Sequence, residues 1–130
     1  MKQSIATVAL VVRDYDEALA FYVGKLGFEL IEDTPLPNEN KRWVVIAPPG
    51  STGTRLLLAT ASDDAQHARI GDQTGGRVSF FLQTDDFERD HTRYAKAGVI
   101  FTQPPRHELY GKVVVFRDLY GNLWDLIEPR

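Results

Sequence analysis

Val8-Ala9-Leu10-Val11-Val12-Arg13-Asp14 opens a stretch that continues through Tyr15-Asp16-Glu17-Ala18-Leu19-Ala20-Phe21-Tyr22 and closes at Leu26-Gly27-Phe28. Its first part is β-branched and aliphatic, so the run from Ile5 to Val12 reads as a buried strand. Asp14 is placed to cap a helix, with Glu17 three residues on as in a capping box. Ala18, Leu19, Phe21, Tyr22 and Leu26 recur at helical spacing, which gives one inward face. Gly27 supplies the left-handed stop.

The same plan returns further along. A strand over Arg77–Gln83 leads into Thr84-Asp85-Asp86-Phe87, a helix over Phe87–Ala97 and a glycine stop at Gly98. Pairing Asp14 with Asp85 and Gly27 with Gly98 gives one common offset, which is the mark of a duplicated unit. Further strands are predicted after each helix. In the first half they are Phe28–Glu32, Trp43–Ala47 and Arg55–Thr60, with a polar loop over Pro35–Lys41 and a Pro/Gly turn over residues 48–53. In the second they are Val99–Thr102, Lys112–Arg117 and Leu123–Glu128, with a loop over Gln103–Gly111 and a turn over Asp118–Asn122. The polar segment 61–76, with a short helical piece near Ala65–Arg69, joins the halves. The fold class is α+β: one 130-residue domain built from module 1 (4–60), a linker (61–76) and module 2 (77–128).

Composition narrows the function classes. A net charge of −3 without a Lys/Arg run argues against nucleic acid. The absence of cysteine excludes disulfides and thiolate metal sites. The start Met1-Lys2-Gln3-Ser4 lacks the apolar run of a signal peptide, and no run approaches the roughly 20 apolar residues of a membrane helix. A cytoplasmic protein with no membrane partner is expected.

The opening stretch, together with the close Phe116-Arg117-Asp118-Leu119-Tyr120-Gly121-Asn122-Leu123-Trp124-Asp125-Leu126-Ile127-Glu128, resembles the vicinal oxygen chelate superfamily. That superfamily includes glyoxalase I, extradiol dioxygenases and bleomycin-resistance proteins. The resemblance implies two βαβββ modules curled around a cleft, a homodimer, and in the enzymes one divalent metal held by ligands from four strands. Carried onto this chain, the four ligand positions fall on Thr7, Leu58, Arg77 (or Val78 after a one-residue slip) and Asp125. Leucine cannot coordinate, and arginine stays protonated, so Asp125 is the one surviving ligand-type residue. No cofactor is expected, and a metal only under the enzyme reading.

Strand alternation turns Thr7, Ala9 and Val11 toward the cleft, and likewise Arg77, Ser79, Phe81 and Gln83, and Leu123, Asp125 and Ile127. The superfamily's geometry implies that Arg77 meets Asp125 where the metal would be and stands in for its charge, with a purely structural bridge as the alternative. Trp43, Phe81, Tyr110 and Phe116 are candidate aromatic walls of a ligand pocket, or core. His67 and His91 read as solvent-facing residues, and His107 with Glu108 lies on a loop that can cover the pocket mouth.

The leading expectation is a small-molecule-binding protein of the glyoxalase/bleomycin-resistance type with a degraded metal site. Its ligand would be small and anionic or aromatic, held by Thr7, Trp43, Leu58, Arg77, Phe81, Tyr110, Phe116 and Asp125. The alternatives are a metal-dependent lyase, isomerase or dioxygenase recruiting Asp125, Glu128, His107 or Glu108, and a non-catalytic interaction module.

Overall fold

The computed structural model describes residues 1–130 and divides into two compact units, Met1–Ile70 and Gly71–Arg130. The division falls inside the expected linker. The first unit contains β1 (Thr7–Val12), α1 (Tyr15–Tyr22), β2 (Glu29–Leu36), β3 (Lys41–Ala47), β4 (Arg55–Thr60) and the single-turn α2 (Asp64–His67). The second contains β5 (Val78–Gln83), α3 (Phe87–Lys96), β6 (Ile100–Phe101), β7 (Arg106–Glu108), β8 (Gly111–Arg117) and β9 (Leu123–Pro129).

Duplication is visible in the strand order. The first sheet runs β1-β4-β3-β2 and the second β5-β9-β8-β6, with the first and last strands of each unit parallel and the others antiparallel. The second sheet adds β7, which pairs with β8 through Arg106↔Val113 and His107↔Lys112. Residues 103–111, expected to be a loop, thus contribute a strand.

Both helices start and stop as their sequences dictate. Asp14 accepts a 2.8 Å hydrogen bond from the Glu17 amide, while the Glu17 carboxylate takes the Arg13 guanidinium at 2.8 and 2.9 Å. In the second unit Asp86, not Asp85, is the cap, accepting from the Arg89 amide at 3.1 Å. Asp85 instead pairs with Arg89 at 2.8 Å. Gly27 and Gly98 hold φ of 76° and 86°, the left-handed conformation that ends a helix at little cost only for glycine.

Each helix covers one face of its own sheet. In the first unit Leu10, Val12, Val44, Ile46 and Leu58 are buried with Ala18, Phe21 and Tyr22 of α1. In the second, Leu82, Val114, Phe116, Trp124 and Leu126 are buried with Phe87 and Tyr94 of α3. Phe116 is fully buried, edge-on to Tyr94 at 5.4 Å and stacked on Trp124 at 5.8 Å. Phe116 is therefore core, because its pairing with Trp124 fixes it on the α3 side, and it cannot wall a pocket on the opposite face. Leu58 is also corrected: it pairs with Leu10 and Val44 and is 1 % exposed in the α1 core. His91 is not a plain surface residue, since its ring lies between Phe87 (5.6 Å) and Phe101 (4.5 Å).

Candidate functional site

The site is built on the face of the second sheet that points away from α3. Alternation and register set its rows. Phe81 of β5 pairs with Asp125 of β9, and Asp125 pairs with Val115 of β8. The Thr102 amide donates to the Val115 carbonyl at 3.0 Å and extends this row just past β6. A second row runs Gln83, Ile127, Val113 and Arg106, and a third holds Leu123, Arg117 and Ile100. At the usual strand spacing, four strands span roughly 14 Å from Phe81 to the far edge.

Phe81 is 69 % exposed, the opposite of what an aromatic ring on a finished core strand does. Beside it, Asp125 Oδ1 is buried and has no hydrogen-bond partner. Burial pushes the Asp125 carboxyl above the ordinary carboxylate range, and the positive charge of Arg106 offsets part of that push. The cation that reaches Asp125 is therefore Arg106 on β7. Arg77 lies just before β5, is exposed, and its carbonyl accepts a 2.7 Å hydrogen bond from Thr74 Oγ1. The expected Arg77–Asp125 pair does not form. An irregularity between Val78 and Phe80 breaks the simple count along β5, and the register puts Phe81 next to Asp125. Arg106 was missed because Pro104-Pro105 and its charged neighbours read as loop. Its period-two relation to Glu108, bounded by the prolines and a turn, was the signal available.

The raised Asp125 value carries a pH consequence. A carboxyl whose folded-state value lies above its unfolded one binds its proton more tightly when folded, so stability falls as pH rises between the two. Above that window the cost is complete, and below it the cost is gone. Asp125→Asn is expected to be more stable than the parent at neutral pH, because the amide removes the charge whose desolvation burial penalises. The gain should vanish in acid, below the ordinary carboxylate range. Urea midpoints across pH check this, and a gain that persists unchanged in acid contradicts it.

The other expected site residues are dispersed. Thr7 is exposed at the start of β1, in register with Arg55. Trp43 is 41 % exposed on β3, paired with Thr34. Tyr110 is 53 % exposed in the turn between β7 and β8, where its carbonyl accepts from the Arg130 amide at 3.1 Å. His67 is exposed on α2. His107 lines a recess of about 180 Å³ with Lys112 and Glu128, beside the end of β9.

The residues present do not fit the metal that the fold family implies. No group of three or more His, Asp or Glu side chains converges. Asp125 and Glu128 lie an odd number of residues apart on β9 and face opposite ways. Glu128 Oε1 accepts from the Phe87 amide at 2.8 Å, which caps the start of α3, and Glu108 is held by Arg106 at 2.8 Å. These carboxylates already have partners.

Two repeats of strand, helix and three strands, the second with β7 added, each folded into its own mixed sheet, define the class of protein. The model of the Glyoxalase/Bleomycin resistance protein/Dioxygenase superfamily matches residues 4–126, and the chain belongs to that superfamily. An uncharacterized protein of Shewanella frigidimarina is 60 % identical over 98 % of this chain and 95 % of its own length. The uncharacterized protein YurT of Bacillus subtilis is 30 % identical over 95 % and 98 %. Among solved structures, UcmS2 superposes with a TM-score of 0.85 at 28 % identity, covering 98 % of this chain and 99 % of that one. TnmS3, an antibiotic binding protein from Streptomyces sp. CB03234, gives 0.78 at 28 % identity, covering 100 % and 98 %. No helix is long and apolar enough to cross a membrane.

Proposed function

We propose that this chain is a small-molecule-binding member of its superfamily that takes a planar aromatic ligand, without a metal, on the α3-distal face of the second sheet. The observation that carries the reading is Phe81, an exposed aromatic ring next to a carboxyl whose Oδ1 has no partner. A flat apolar ring against Phe81 removes its exposed surface from water and gains stacking. Leu123, Val115 and Ile127 share that face and supply apolar contact. The Asp125 carboxyl fixes orientation by hydrogen bonding to a polar substituent. Support also comes from the likeness to TnmS3, which binds an antibiotic. The dispersed carboxylates and histidines weigh against the metal-dependent alternative.

N-phenylnaphthylamine, a neutral aromatic probe that brightens when removed from water, tests the reading. The parent protein is expected to bind it saturably, at one probe per chain. Phe81→Ala should weaken that binding about tenfold, the loss expected for one stacked ring. Because Phe81 is exposed, the variant should keep the parent's melting temperature. No binding by the parent, or equal binding by the folded variant, would sink the proposal.

A further inference from the structure

We infer that the ligand carries an anionic group and that Arg106 is the residue that selects for it; this rests on the aromatic-ligand reading above. Three observations converge on Arg106. First, register with Val113 puts it on the same face as Phe81 and Asp125, at the sheet edge farthest from Phe81. Second, β7 lies one strand away from β9 across β8, and the Arg106 charge acts on Asp125 without a hydrogen bond joining the two. Third, it pairs with Glu108, through Nη1 at 2.8 Å, with both side chains substantially exposed at 43 % and 36 %. That contact uses one of five guanidinium N–H groups. An exposed pair of this kind contributes little to stability, so exchanging Glu108 for a ligand anion costs little. A carboxylate or sulfonate offers two oxygens that match the guanidinium fork.

The arrangement also explains why Arg106 rather than Arg117 is chosen. Arg117 shares the face but lies in the row of Leu123 and Ile100, on the other side of the Asp125 row. A ligand lying across the strands thus meets an aromatic ring at one end, a carboxyl midway and a guanidinium beyond it. The class is a planar aromatic acid, with the ring toward Phe81 and the acid toward Arg106.

Anilinonaphthalene sulfonate and N-phenylnaphthylamine share their rings and differ by the sulfonate, so the ratio of their affinities reads the anion contact alone. The parent is expected to prefer the sulfonate about tenfold, the order of one charge-assisted hydrogen-bonded contact. Arg106→Gln should abolish that preference and leave the neutral probe within about twofold, since neutral-probe affinity depends on rings and not on charge. Arg93→Gln, the same charge change on exposed α3, should alter neither, and thermal melts check that both variants fold. An unchanged ratio in Arg106→Gln overturns the inference while Phe81-dependent binding of the neutral probe leaves the aromatic reading standing. An equal loss in Arg117→Gln also overturns it, because the anion would then read a diffuse positive edge. Failure of both probes to bind the parent overturns both readings together.

Discussion

Phe116→Ala is expected to destabilise the chain by about 4 kcal/mol, the cost of emptying a fully buried aromatic site. For 130 residues this corresponds to a fall in melting temperature of roughly 15 °C. The magnitude follows from what Phe116 touches. Its ring is edge-on to Tyr94 of α3 and stacked on Trp124 of β9, and Trp124 in turn packs at a tilt against Phe80 at 4.4 Å. Removing the ring leaves a cavity between the helix and the sheet that rigid backbone on both sides cannot close. Phe116→Leu should recover about half of the loss by filling most of the space. The same pair of variants separates core from pocket. Phe116 faces α3, so probe affinity of the folded Phe116→Leu protein should match the parent, whereas Phe81→Ala should change affinity and not stability. Thermal melts followed by near-ultraviolet circular dichroism check the first expectation, and a loss below about 1 kcal/mol in Phe116→Ala contradicts it.

Asp118→Ala is the second large effect, expected at about 3 kcal/mol. Asp118 is 5 % exposed and organises the turn between β8 and β9. Its Oδ1 accepts from the amides of Tyr120, Gly121 and Asn122 at 3.0, 3.0 and 2.9 Å, and its Oδ2 accepts from Asn122 Nδ2 at 2.9 Å. Asn122 is 3 % exposed, so its amide and side chain would be left as buried donors without an acceptor. Asn122 Oδ1 in turn accepts from the Gln73 amide at 3.3 Å, which ties the segment before β5 to the turn. At Gly71, in that segment, an added Cβ would collide with the Tyr120 carbonyl oxygen. Asp118→Asn keeps an acceptor for the backbone amides but turns a donor toward Asn122 Nδ2, so it should cost clearly less than alanine. Equal costs for the two variants would mean that charge, not the acceptor geometry, holds the turn. Because this turn sets the start of β9, and β9 carries Asp125, Asp118→Ala should also loosen probe binding near its transition.

Much of this architecture was legible in the chain because local signals agreed. Gly27 and Gly98 end helices in both repeats, and alternation in Leu10 and Val12, and in Trp124 and Leu126, reports the buried face correctly. Where alternation is missing, the face could not be read. Leu56-Leu57-Leu58 is apolar throughout, so only pairing with Leu10 and Val44 places Leu58 under α1. Val113-Val114-Val115-Phe116 has the same property, and pairing with Trp124 decides it. The irregularity between Val78 and Phe80 upset the count that brought Arg77 to Asp125. The strand holding Arg106 is three residues long and follows two prolines, so its pairing with β8 is a tertiary fact with little local trace. The sequence did place Phe81 and Asp125 on this face of the sheet, through the period-two count along the far end of β5 and along β9.

Binding of a planar aromatic acid on this face is proposed to need no metal. Its most direct test is a calorimetric titration of EDTA-treated protein with anilinonaphthalene sulfonate, repeated after manganese, zinc, nickel or iron(II) is offered and excess removed. The predicted result is one saturable site per chain with the same affinity in every preparation, weakened by both Phe81→Ala and Arg106→Gln. Binding that emerges only with about one retained metal per chain would contradict it.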